Sequence, residues 1–176
     1  MNKFEQIQNK ENKENKRYEL LKEGLVSGDM SLEAIAKQLI EFDQSTPSRE
    51  LAKDNVDFLK DKEVVDFVQT LNPEVVKGYH RLLSFFEFHV AQQLANKNTE
   101  EAKEFFQNSL EDAKQGGSKD DWLAYIEGTL LYINGQTIPE DIIDRVTEPR
   151  NAKILKRFNN GLRERNGPDY DKDYNK

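Results

Sequence analysis

Three apolar runs separated by very short polar breaks, all within residues 73–135, constrain this chain more than any other feature. The first run, residues 79–94, follows Asn72-Pro73 and stops at Asn96-Lys97-Asn98-Thr99. The second carries Ala102, Phe105, Phe106, Leu110 and Ala113 and ends at Gly116-Gly117-Ser118. The third starts at Trp122 and ends at Asn134-Gly135. Runs of this length joined by such short breaks read as consecutive antiparallel helices. The expected fold class is therefore all-α, a stack of short antiparallel helical hairpins. Stacks of this kind present surfaces to other macromolecules and rarely hold catalytic groups.

The flanking sequence extends the same pattern. Residues 1–16 are poor in apolar side chains and nearly a Lys/Glu/Asn repeat, so they are expected to be a frayed helix or disordered. Tyr18, Leu20, Leu21 and Leu25 form the first apolar cluster, ended by Gly28. Ser31 is placed to cap a helix whose stripe is Leu32, Ile35, Ala36, Leu39, Ile40 and Phe42, spaced by three and four. Thr46-Pro47 marks the next helix start, with Leu51, Val56, Phe58 and Leu59 inside it. Val64, Val65, Phe67, Val68 and Leu71 are β-branched enough for a strand, but a single strand would have no partner, which favours helix.

Further on, Thr99 before Glu100-Glu101 gives a capping hydroxyl and an acidic first turn. Ser118 with Asp121 resembles a capping box, and Asn134-Gly135 supplies a left-handed exit. Pro139 opens a short helix with Ile142, Ile143 and Val146. Glu148-Pro149 breaks it, and a last amphipathic helix carries Ile154, Leu155, Phe158 and Leu162 up to Gly167-Pro168. This makes at most eight helices in one domain, residues 17–165, followed by a flexible charged tail over 166–176.

Charge is segregated along the chain. The net charge is −7, yet residues 1–22 carry +2, residues 148–176 carry +3, and residues 23–147 hold −12. An acidic body repels duplex phosphates and admits basic partners, or a local anion contact at the C-terminal end. No window approaches the roughly 20 apolar residues of a membrane span, and residues 1–16 lack the apolar core of a secretory signal. The chain has no cysteine, which rules out a disulfide framework, a thiolate nucleophile and a cysteine-based zinc site. A cytoplasmic location and no membrane partner are expected.

Few residues offer chemistry. His80 and His89 are nine positions apart and point to opposite helix faces, so they cannot share a metal. His80, Ser84 and Glu87 share one face at i, i+4 and i+7, which reads as the solvated side of the long helix because no glycine-rich turn supplies an oxyanion hole. His89, among Phe85, Phe86, Phe88 and Val90, reads as a semi-buried, hydrogen-bonded histidine. Adjacent phenylalanines diverge by about 100°, so this helix is expected to be sandwiched between layers. The tail Asp169-Tyr170-Asp171-Lys172-Asp173-Tyr174 starts like a calcium loop but lacks its glycine and its final glutamate. With no phosphate loop, dinucleotide fingerprint or metalloprotease motif, no enzyme, cofactor or metal is expected. Arg150, Lys153, Lys156 and Arg157 ring the last helix and are the candidate anion or RNA contact.

Residues 85–135 resemble degenerate tetratricopeptide repeats, helix pairs of about 34 residues with small residues at their crossing. Trp122, Gly128, Tyr132 and Gly135 correspond to first-helix positions, and Ala91 and Asn98 repeat the spacing of Gly128 and Gly135 one unit earlier. Ala102 and Phe106 correspond to second-helix positions. Trp122 is two residues too far from Gly128, and the repeat-ending proline after Ala113 is missing. The resemblance implies a concave groove for a peptide or protein. The expected function is a non-catalytic protein-interaction or adaptor module, with a partner surface beside His80, Ser84, Glu87, Trp122 and Tyr125. Two other readings stand beside it: a small acidic regulator that occupies a basic or nucleic-acid-binding surface, and a ribonucleoprotein-associated protein using the basic last helix.

Overall fold

A computed structural model describes the backbone of residues 3–27, 31–41 and 48–166; side chains are described for 12–27, 31–41 and 52–162. The described chain is all-α and contains no strand. Nine helices occur among the described residues: α1 Lys3–Ser27, α2 Leu32–Glu41, α3 Ser48–Leu59, α4 Lys62–Gln69, α5 Pro73–Leu94, α6 Thr99–Gln115, α7 Asp120–Ile133, α8 Glu140–Arg145 and α9 Pro149–Asn166. That is one more than the sequence count. Only Lys60 and Asp61 part α3 from α4, and the Asp61 carboxylate accepts the Glu63 N–H at 2.9 Å to start the new helix. Residues 3–16 continue into α1; their Lys, Glu and Gln are good helix formers even without an apolar face.

Several expected caps hold. Ser31 Oγ accepts the Ala34 N–H at 3.2 Å, and Asn72 Oδ1 accepts the Glu74 and Val75 N–H groups at 3.1 Å each, with Pro73 in the first turn. Gly135 takes a φ of 73° and Gly117 a φ of 60°, the left-handed values that end α7 and α6. Two caps differ from expectation. Asn98, one residue before Thr99, caps α6 by accepting the Glu101 N–H at 3.3 Å. Lys119, not Ser118, stands at the N-cap of α7 and its ammonium has no acceptor to offer, so no side chain caps that helix; Asp121 accepts the Thr147 hydroxyl at 2.7 Å and the Glu148 N–H at 3.0 Å instead. Gly28, Phe42, Thr46-Pro47, Gly167-Pro168 and the 167–176 tail lie outside the described residues.

Helix α5 is the spine. It packs against α6 as an antiparallel hairpin and against α1, α2, α3 and α4 on its other sides. Two apolar cores result. Leu21, Ile35, Leu39, Leu59, Leu82 and Phe86 anchor the first, among α1–α5. Phe88, Ala91, Phe106, Ile126 and Leu155 anchor the second, among α5–α9. Phe86 and Phe88 thus face different cores, as a sandwiched helix requires, and each buried ring contributes about 1.5–3 kcal/mol. Ala91 and Ala102, both fully buried, let α5 and α6 approach closely.

Candidate functional site

The α5–α6 interface is apolar at the Ala91 end and polar at the other. His80, Ser84 and Glu87 descend one face of α5, and Ser109 and Asp112 answer them from α6. His80 Nδ1 lies 2.6 Å from Asp112 Oδ1. Ser109 Oγ donates to the Ser84 carbonyl at 2.8 Å, and the Ser84 and Ser109 hydroxyls meet at 3.2 Å. Trp122 Nε1 donates to Ser84 Oγ at 3.2 Å. Because Ser109 spends its proton on the carbonyl, Ser84 must donate to Ser109 while accepting from Trp122. The chain of donors is therefore complete, which is what a buried polar seam requires.

Glu87 is the costly member. Its side chain has 0% exposure, and the Lys60 ammonium approaches it at 2.6 Å from Oε1, with the Asp112 carboxyl also close by. That approach is a charge contact, since neither carboxyl oxygen meets a donor in hydrogen-bonding alignment. Burial pushes the Glu87 carboxyl up to about 8, with Lys60 pulling it down and the Asp112 carboxylate pushing it further up. Protonation gives Glu87 a donor that Asp112 can accept. Nearby, burial together with the Asp112 and Glu87 charges raises the Tyr79 phenol to about 12, and its hydroxyl donates to the Leu59 carbonyl at 2.7 Å.

The face of α5 read from sequence as solvated is thus interior. Ser84 and Glu87 are fully buried and Tyr125 nearly so, which withdraws these three from any partner surface; His80 and Trp122 keep partial exposure. The His80–Asp112 pair has the form of the basic half of an acyl-transfer relay. Ser84 is engaged with Ser109 and Trp122 rather than His80 and has no exposed surface. His89 is half-buried against Phe85 at 4.4 Å between ring centres; burial lowers its basicity and a hydrogen bond with Gln92 opposes that. Among the described residues no three acidic or histidine side chains form a metal-binding group, and no helix is long and apolar enough to cross a membrane.

Trp122 has a second role. One side of its indole packs on Phe88, at 4.9 Å, and the ring also lines a groove of about 540 Å³ between α2, α5 and the α6–α7 turn. Leu32, Ala36 and Ile40 form the α2 wall, with Leu82 and Phe85 opposite. Ile40 is 38% exposed there, one of two large apolar side chains so open among those described. Glu33, Lys37, Glu41, Arg81, Lys119 and Asp121 surround the opening. Sequence reading found Trp122 but not the groove, since α2 and the turn after α6 are about 80 residues apart along the chain. The partners Lys60, Ser109 and Asp112 were also missed; their one sequence signal is the polar pair Ser109 and Asp112, three residues apart on an otherwise apolar helix face.

Arg150, Lys153, Lys156 and Arg157 are all exposed on α9, and none makes an ion pair among the described residues. Most cations between residues 22 and 103 whose pairing is described are matched, as in Lys53–Glu101 and Lys62–Asp66. The α9 cations thus form an open stripe opposite Leu155, Phe158 and Leu162. Comparison with family models, with curated proteins and with solved structures found no match to this chain.

Proposed function

We propose that this chain is a non-catalytic protein-interaction module that receives a segment of a partner protein in the groove between α2 and the α6–α7 turn. One observation carries the reading: an apolar concavity, open to solvent and rimmed by charge, is lined by Trp122, whose indole N–H is held by Ser84. Contiguous exposed apolar surface of this kind marks sites of association. The buried state of Ser84, the only hydroxyl on the His80 face of α5, supports the non-catalytic half of the reading. Kinship with tetratricopeptide repeats belongs to the same proposal; buried Ala91 and Ala102, and Gly128 set against Leu155, are the small residues such hairpins need. The test is a comparison of the proteins retained by the wild-type chain and by Ile40→Asp. A partner held by the first and released by the second supports the module. Equal retention by both counts against it.

A second reading rests on the open cation stripe of α9, which fits an anionic polymer such as RNA. Retention of RNA at low salt, lost in a Lys153→Glu/Lys156→Glu/Arg157→Glu variant, is the outcome it requires.

A further inference from the structure

We propose that the partner segment in this groove carries an acidic side chain beside its apolar ones, anchored by Arg81 and Lys119. The inference rests on the groove reading above and specifies the chemistry of the occupant.

Each charge at the groove mouth has a different degree of freedom. Lys37 and Glu41 pair with each other at 3.8 Å. The Asp121 carboxylate is occupied by Thr147 and Glu148. Glu33 stands in the first turn of α2, where the helix dipole already favours a negative charge. Arg81 and Lys119 are left; neither makes an ion pair among the described residues, and of the two only Lys119 feels the Asp121 charge, which leaves Arg81 the more open cation. Both lie on the side of Phe85 and Trp122, so the open positive charge borders the aromatic floor.

Arg81 is held there by the fold. Gly116 lies flush on it: a Cβ at Gly116 would stand 2.7 Å from Arg81 Cγ and 2.9 Å from its backbone nitrogen. The stem is thereby confined, and Nε is buried with no acceptor. Glu74, whose charge Arg81 feels along α5, is already paired with Lys77 at 2.7 Å. With its stem so held, the guanidinium loses little freedom when its terminal nitrogens take an incoming carboxylate in a charge-assisted pair. Lys119 adds a second cation at the start of the 14-residue helix α7, where no side chain caps the first N–H groups and the helix dipole is positive.

The probe is a library of random 12-residue peptides displayed with their C-termini fused to the coat protein, so that only side chains supply carboxylates. It is panned against the full chain. Enriched peptides are then synthesised with amidated ends and titrated by the fluorescence of Trp122, the one tryptophan in the sequence. The expected result is enrichment of Leu, Ile, Phe or Trp next to Asp or Glu. Changing that acid to its amide should weaken binding about tenfold, and Arg81→Gln should give the same loss without adding to it. Lys119→Gln should cost less. Apolar peptides that bind without an acid, or that ignore both Arg81→Gln and Lys119→Gln, overturn the acidic anchor and leave the groove reading intact. If no peptide perturbs Trp122 and Ile40→Asp behaves as the wild type, the groove reading itself fails. Should Arg81→Gln not fold, Lys119→Gln and the acid-to-amide peptides decide the same question.

Discussion

Replacing Glu87 by glutamine tests the interior as it is described above. The side chain keeps its shape and loses only its proton chemistry. The folded carboxyl ionises near 8 and the unfolded one near 4.5. Between those values the folded chain keeps a proton that the unfolded chain has released, so stability falls as pH rises. Glu87's contribution is therefore complete below about 4.5 and is lost as pH passes through about 8. Each pH unit in that window withdraws about 1.4 kcal/mol, which sets a ceiling of about 5 kcal/mol across it. Lys60 is 44% exposed and brings water to the site, so about half that ceiling is the expected size. Urea denaturation followed by circular dichroism, from pH 4.5 to 9, measures the difference between Glu87→Gln and wild type. Other titrating groups cancel in that difference. It should be close to zero at pH 4.5 and reach about 2–3 kcal/mol in favour of the variant above pH 8. A difference that stays flat with pH, or a variant less stable than wild type at pH 8.5, refutes the reasoning. It would mean that the Lys60 contact repays the burial of an ionised carboxylate.

Three further changes probe the joints around the second core. Arg145→Ala removes a forked contact to Asp120, with Nη2 at 2.6 Å, and a bond to Glu127 at 3.0 Å; it should cost about 1 kcal/mol at low ionic strength and less in high salt, read from thermal melts at both. Asn159→Ala takes away a side chain that accepts the Ile138 N–H at 2.7 Å and donates to the Ile138 carbonyl at 2.8 Å; with both backbone groups left buried and unmatched, the expected loss is about 3 kcal/mol in urea denaturation. Gly128→Ala sets a Cβ 2.8 Å from Leu155 Cδ1 and should cost about 1–3 kcal/mol, a penalty that Leu155→Val relieves if the two side chains compete for one space.

The helices were legible in the sequence because they depend on local signals. Asn72-Pro73, Ser31 and Asn134-Gly135 each fix a helix end through neighbouring backbone groups, and the apolar spacing in α2 and α5 names the buried side. The caps of α6 and α7 were misread where a tertiary partner or an adjacent residue competed. Asn98 and Thr99 are both good caps, and Asp121 has a stronger use at Thr147 and Glu148, which burial opposes but three hydrogen bonds overcome in keeping its carboxyl ionised. The seam was hidden for a related reason. His80, Ser84 and Glu87 look like a solvated stripe on one helix, because polar residues usually face water. Only the second helix reveals that Ser109 and Asp112 make the same stripe habitable inside.

Trp122 joins the seam to the groove. Its N–H is tied to Ser84, which is tied in turn to Ser109 on α6, so the indole plane is fixed by the hydrogen bonds that set the α5–α6 register. Its outer edge and Phe85 then form one wall of the groove. An apolar hollow that depended on loosely held side chains would close on itself, since collapse removes apolar surface from water as well as a partner does. Here collapse would break the bond to Ser84 and leave a buried donor unmatched, at a cost of about 1–3 kcal/mol. The polar seam thus opposes closure of the groove beside it, which gives buried residues that do not line the groove a physical part in keeping it open.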